Sequence, residues 1–170
     1  MEELNAMQAQ IDYLTRIISE IVDGDVIHTQ IPVGVMLNAH GKYPEYKTEG
    51  SAAADVEAAE FHTILPGGIA IVGTGIYPEV PVGYKLNVDS RSGLASLGVF
   101  VINAPGKIDS DYRGELKILL CNLSGQVFSV NIGDRIAQIE ITSVKRIKWV
   151  PKQVLSSTTR GAGGLGSTGK

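Results

Sequence analysis

Cysteine is nearly absent: Cys121 is the only one, inside the apolar run Leu119-Leu120-Cys121. An intrachain disulfide framework is excluded, and a buried, inert thiol is expected. Histidine is scarce too. His28, His40 and His62 are far apart, with no His-x-x-x-His and no Cys pair, so no side-chain cage for a transition metal is legible. There is no cationic excess: 15 Lys and Arg stand against 18 Asp and Glu, a net charge of -3. No nucleic-acid partner is expected on that ground. No apolar run approaches the roughly 18 residues of a membrane span. Met1-Glu2-Glu3-Leu4 lacks the basic segment and apolar core of a secretory leader. A soluble, cytoplasmic chain without a membrane partner is expected, and 170 residues suffice for one domain with a real core.

Residues 1–24 form a first segment, without proline and with Tyr13 as its only aromatic residue. Leu4, Ile11 and Ile18 take heptad position a, and Met7, Leu14 and Ile21 take position d. The pattern predicts an amphipathic helix, either packed on its own domain or joined with copies in a short coiled coil. From residue 25 the period becomes strand-like. Runs at 31–37, 51–60, 63–65, 67–76, 82–88, 99–103, 115–123, 126–132 and 135–144 alternate with Gly- and Pro-bearing breaks. Residues 25–159 therefore read as one all-β domain, a sandwich or barrel, with a short turn expected at 93–97. Residues 160–170 are Gly-rich with no core-forming run. Gly164 to Lys170 imitates a P-loop, but the Ser/Thr and the helix that should follow Lys170 are missing, and that reading is set aside.

Between 99–102 and 116–120 lies Asn103-Ala-Pro-Gly-Lys-Ile-Asp109-Ser-Asp-Tyr112-Arg-Gly-Glu115. Pro105-Gly106 is turn chemistry. The stretch predicts a hairpin presenting Asn103, Asp109, Asp111 and Tyr112 near its tip, an acid beside a ring that suits a small, flat, polar ligand. Four other stretches complete an ordered set: Ser51 to Glu60 with Asp55, Ser90-Arg91-Ser92-Gly93-Leu94-Ala95, Gly133-Asp134-Arg135-Ile136-Ala137-Gln138, and the tail from Arg160 to Gly169.

In these five stretches, from about residue 27 onward, the chain resembles the trimeric dUTP diphosphatase (dUTPase) family. The resemblance implies a jelly-roll-like β-barrel or sandwich and hydrolysis of dUTP to dUMP and diphosphate. That reaction keeps uracil out of DNA and supplies dUMP for dTMP synthesis. It implies Asp109 as the general base that activates water for attack on the α-phosphorus. Arg91, Ser92, Gly93 and Gln138 match phosphate-side contacts. Asn103 matches the uracil-reading amide, and Tyr112 the ring beneath the deoxyribose that leaves no room for a 2′-hydroxyl. Lys107, Ile108 and Lys117 line the nucleoside pocket. Arg160, Leu165, Gly166, Ser167 and Thr168 match the tail that closes over the triphosphate. The implied cofactor is Mg²⁺ held by phosphate oxygens and water, with Asp55 near that network and no direct protein ligand. The implied assembly is a homotrimer with shared sites, which favours a trimeric coiled coil for 1–24.

Two departures stand out. Leu165 occupies the place of a tail Phe and offers no π-face for the base. Ser90 stands where proline usually precedes Arg-Ser-Gly, which is expected to loosen that backbone. Two other readings share the fold: a dCTP deaminase, which needs a general-base Glu in the hairpin region, and a regulatory interaction protein.

Overall fold

The structure is a computed structural model that describes residues 7, 8, 11, 12, 15, 30–164 and 167. Met7, Gln8, Ile11, Asp12 and Thr15 are helical, and Gln8 Nε2 donates to Asp12 Oδ1 at 2.8 Å, one turn on. The other heptad positions, Leu4, Leu14, Ile18 and Ile21, lie outside the described residues, as do Leu165, Gly166 and Thr168 of the tail.

The strands are β1 (Gly34–Leu37), β2 (Ala54–Glu57), β3 (His62–Ile64), β4 (Ile69–Gly73), β5 (Ile76–Glu79), β6 (Tyr84–Asp89), β7 (Val99–Val101), β8 (Gly106–Ile108), β9 (Lys117–Asn122), β10 (Phe128–Val130) and β11 (Arg135–Ser143). One turn of helix, α1 (Ser92–Ala95), follows β6 at the predicted turn. A four-stranded sheet has the order β2-β11-β6-β8 and a three-stranded one the order β4-β9-β7; β1 pairs β5, and β10 pairs β3. All of these pairs are antiparallel.

Period-two alternation builds the core. On β6, Leu86 and Val88 are buried while Lys85, Asn87 and Asp89 face outward. On β9, Ile118, Leu120 and Asn122 point inward. The inner faces of both larger sheets meet in one cluster with Val56, Val72, Val99, Val101 and Ile139. Each such side chain contributes about 1.5–3 kcal/mol of transfer free energy. Asn122 is fully buried without penalty: its Nδ2 donates to the carbonyls of Ile64 (2.9 Å) and Gln126 (2.8 Å), and its Oδ1 accepts from Ser124. Cys121 is free and buried, as expected.

The run predicted as one strand at 67–76 is two, β4 and β5, broken at Thr74-Gly75. Gly75 has φ +67°, and a Cβ there would lie 2.2 Å from Asn38 Oδ1, so only glycine fits the break. No helix among the described residues is long and apolar enough to cross a membrane.

Candidate active site

Three of the five sequence stretches converge on Asp55. Its carboxylate, on β2, accepts from Arg91 Nε at 3.0 Å through Oδ1 and from Arg135 Nη1 at 2.8 Å through Oδ2. Arg91 Nη1 also donates to the Arg135 carbonyl (2.8 Å), and Gln138 Nε2 donates to the Ser90 carbonyl (3.1 Å). Gln138 stands level with Asp55 on one side and Asp89 on the other. The local sequence explains how Arg135 is aimed. Gly133 takes φ +89° in a tight turn, and Asp134 Oδ2 accepts from Asn131 N at 2.8 Å. The register then slips between Arg135 and Ala137, a bulge of the kind that redirects a side chain.

Two guanidinium groups on one carboxylate, flanked by open clefts, form a fixed cationic surface suited to phosphate oxygens. Ser92 and Gly93 open α1 beside it, and the space over Gly93 is empty. Arg135 carries as much of this geometry as Arg91. Sequence reasoning had it inside Gly-Asp-Arg without a role, because nothing in the sequence brings it to Asp55. The role expected to fall to a Pro at 90 is met otherwise: Ser90 Oγ accepts from Val101 N at 2.9 Å, so Ser90 ties the backbone down rather than loosening it.

The stretch 103–115 is not a plain hairpin. β7 and β9 do pair, as predicted, but between them the chain crosses to the other sheet. There Gly106–Ile108 adds β8 to the edge of β6, with Val88 opposite Gly106 and Leu86 opposite Ile108. The tip is thereby clamped at its middle. Asp109 leaves β8 exposed, and its carboxylate accepts no hydrogen bond among the described residues. Tyr112 lies over Gly114, where a Cβ would fall 2.3 Å from its Oη, and its hydroxyl donates to the Glu115 carbonyl at 2.9 Å. Asn103 is exposed, with its amide against Gly106. Ile108 is half-buried, and Lys107 Nζ donates to the Pro105 carbonyl.

Lys117 is exposed and 3.7 Å from Glu115, whose Oε1 accepts from Gly75 N at 2.8 Å. Nearby, Glu60 Oε1 accepts from Gly73 N at 2.5 Å and meets His62 Nε2 at 3.0 Å. The Gly73 amide first, then the His62 contact, hold the Glu60 carboxyl below its ordinary value.

Within one chain these groups do not form one site. Asp109 follows Ile108, which is level with Leu86, whereas Asp55 is level with Asp89 across β11. Strand geometry puts about 13 Å along the strands and about 14 Å across them, roughly 19 Å in all, between Asp109 and Asp55. The described tail residues bond to one another: Arg160 Nε donates to the Gly163 carbonyl (2.8 Å), Gly163 N donates back to the Arg160 carbonyl (3.0 Å), and Ser167 N donates to the Gly164 carbonyl.

The described residues contain no cluster of three or more His, Cys, Asp or Glu able to hold a metal ion. Both Asp55 oxygens are taken by arginines. This donor set fits a cation that arrives on phosphate oxygens and water.

The dUTPase family model matches residues 39–169. The deoxyuridine 5'-triphosphate nucleotidohydrolase of Helicobacter pylori strain P12 is 46% identical over 127 residues, covering 74% of this chain and 88% of that protein. That of Rickettsia akari is 45% identical over 144 residues, covering 83% and 97%. Among solved structures, the dUTPase of Staphylococcus bacteriophage 80alpha with dUpNHpp superposes with a TM-score of 0.75 at 24% identity, covering 83% of this chain and all of that one. A dUTPase of phage phi11 of S. aureus, described as coordinating a structural Mg(II) ion, gives a TM-score of 0.68 at 22% identity, covering 75% and 100%.

Proposed function

The chain belongs to the dUTPase family and is a dUTP diphosphatase; we propose that Asp109 is its general base and that its active site is completed by other copies of the chain. Asp109 orients a water and takes its proton as the oxygen attacks the α-phosphorus; diphosphate leaves and dUMP remains. An exposed carboxylate without a partner of its own suits that task. Arg91, Ser92, Gly93 and Gln138 bind the phosphate chain, with Asp55 and Arg135 keeping Arg91 in place. Asn103 offers uracil a donor and an acceptor. Tyr112, braced over Gly114, closes the space beside C2′, while Lys107, Ile108 and Lys117 complete the nucleoside pocket. Arg160 and residues 165–168 close over the triphosphate. Mg²⁺, carried by the triphosphate and water, supplies neutralisation of phosphate charge. No side chain is assigned as its direct ligand.

The single observation that carries the reading is the strand register, which sets the proposed base and the Asp55-held arginines at opposite corners of the four-stranded sheet, roughly 19 Å apart by strand geometry. One substrate is served by both only when a neighbour brings its 103–115 segment to the arginines. An outer sheet face supports such an assembly. Ile69 and Ile71 of β4 are each 56% exposed and lie beside Leu119, Phe100 and Ile102, an apolar surface of the kind that packs against a copy. A homotrimer accommodates three such sites.

Purified Asp109→Asn tests the base. It should melt like the parent and still bind a non-hydrolysable dUTP analogue, with turnover of dUTP down by about 10²–10⁴-fold. Turnover near the parent's would remove Asp109 from the mechanism, and release of ammonia from dCTP by the parent would point to the deaminase chemistry instead.

A further inference from the structure

Residues 109–116 join β8 to β9 and carry the proposed base at their start. Both ends of this segment are fastened. Ile108 is paired to Leu86 of β6, and Leu116 N donates to the Ile76 carbonyl at 2.7 Å. Between these ends the chain has bonds that give it shape. Tyr112 N donates to the Asp109 carbonyl at 3.2 Å, which closes a turn, and Tyr112 Oη donates to the Glu115 carbonyl. A turn closed on itself can still swing as a unit about its ends. Among the described residues, one hydrogen bond runs from residues 109–114 to the rest of the domain: Arg113 Nη2 donates to Glu79 Oε1 on β5 at 3.2 Å.

Arg113 folds back onto its own turn. Its Nη1 donates to the Ser110 carbonyl at 2.8 Å and to the Tyr112 carbonyl at 2.9 Å, the two carbonyls on either side of Asp111. One planar cation thus gathers the turn with one nitrogen and ties it to Glu79 with the other. That arrangement needs a rigid fork; a lysine ammonium carries the charge without the span. Glu79 is itself placed. It ends β5 opposite Gly34 of β1, where a Cβ would lie 3.2 Å from both the Cβ and the Oε2 of Glu79. The bare backbone at Gly34 leaves the Glu79 side chain its room. The pair adds little to folding, since the two side chains are 55% and 67% exposed and exposed ion pairs are weakly stabilising. What it fixes is location rather than stability.

We propose that Arg113, anchored by Glu79, is a positioning residue for dUTP hydrolysis: it holds the 109–112 turn to β5 and thereby fixes where the Asp109 carboxylate stands. That carboxylate accepts no hydrogen bond among the described residues, so its place depends on the backbone that carries it. The Asp109 carbonyl closes the turn, and the Ser110 carbonyl that Arg113 holds is the next one along. Released from Glu79, the turn keeps its internal bonds but not its direction. A misplacement of about 1 Å costs about 10²-fold in rate. Tyr112 depends less on the tether, because its hydroxyl stays bonded to the Glu115 carbonyl. Loss of Arg113 therefore falls on kcat rather than on substrate affinity. The inference rests on Asp109 as the general base and adds to it the group that aims it.

The test uses the full chain. Arg113→Ala should melt within about 4 °C of the parent. It should bind a non-hydrolysable dUTP analogue with a Kd within about threefold of the parent's, while kcat falls by about tenfold or more. Arg113→Lys, which keeps the charge but not the fork, should regain only part of that kcat. Glu79→Gln, which keeps the carbonyl bonds and weakens the anchor, should lower kcat by about two- to tenfold. A double variant asks whether Arg113 acts through Asp109. Adding Arg113→Ala to Asp109→Asn should lower kcat by less than about twofold more. A further loss as large as the one in the parent background overturns the proposal, because the tether then serves another group. So does a kcat of Arg113→Ala near the parent's, or a loss confined to analogue binding. If Arg113→Ala fails to fold, Arg113→Lys and Glu79→Gln carry the test: parental kcat in both overturns the proposal, and lowered kcat with analogue binding intact supports it. Parental turnover in Asp109→Asn removes the base and this inference with it. An impaired Asp109→Asn beside unimpaired Arg113 variants removes the tether alone.

Discussion

Asp55 shows how one side chain turns two flexible cations into a surface. Its carboxylate is 14% exposed and satisfied twice, by Arg91 and by Arg135. Asp55→Asn should leave two guanidinium groups around a neutral amide. Both arginines remain partly solvated, so the expected stability loss is about 1–3 kcal/mol, below that of a fully buried pair. kcat/KM for dUTP should drop by more than about tenfold, since misplaced phosphate contacts cost both binding and rate. Melting curves and steady-state kinetics together check this; unchanged kinetics would mean the arginines do not need Asp55. Gly114 is a second decisive residue. A methyl there collides with the Tyr112 ring, so Gly114→Ala should displace the ring and erode discrimination between dUTP and UTP, measured as the ratio of their kcat/KM values. An unaltered ratio would mean that Tyr112 does not guard C2′. Both residues lay within the stretches read from the sequence. So did their partners, but the pairings were not legible, because contacts such as Asp55 to Arg135 join positions 80 apart in the chain.

At the scale of elements, period-two patterning located most strands, since each has one buried face: β6, β9 and β11 lie within or at the edges of the runs that predicted them. What patterning missed has physical causes. β8 is three residues long with only Gly106 buried, too short for a period to register, yet it pins the stretch that carries Asp109 to β6. The bulge at Arg135 changes where a side chain points without changing composition. The bend between β4 and β5 is likewise held by side chains rather than by pattern, with Glu60 accepting from Gly73 N and Glu115 from Gly75 N. Because the native Glu60 carboxyl lies below its ordinary value of 4.5, its contribution is complete above that pH and is lost as the pH falls through the lowered native value. Glu60→Gln should therefore destabilise the protein above about pH 5, with the difference from the parent shrinking on acidification. The group is half exposed, so the gap should not exceed about 1 kcal/mol. Denaturant unfolding at several pH values checks this; a gap that widens toward low pH would contradict it.

At the scale of the molecule, one chain holds the described parts of the proposed machinery in three groups. The arginines sit at one corner of the four-stranded sheet and Asp109 at the opposite one, while the tail curls on itself. No periodicity announces this, and it becomes visible only when the strand registers are read together. The most direct test mixes two defective chains. Asp109→Asn and Arg91→Ala, each confirmed to be folded by circular dichroism and each strongly impaired alone, are unfolded, combined in equal amounts and refolded. If the base and the arginine of one site come from different copies, about a quarter of the sites in randomly assembled closed trimers contain both intact groups. The account predicts that dUTP hydrolysis by the mixture rises to about a quarter of the parent's rate. Activity no higher than that of the two variants refolded separately, with mixed trimers verified by mass spectrometry, would place Asp109 and Arg91 of one site in a single chain and contradict the shared active site.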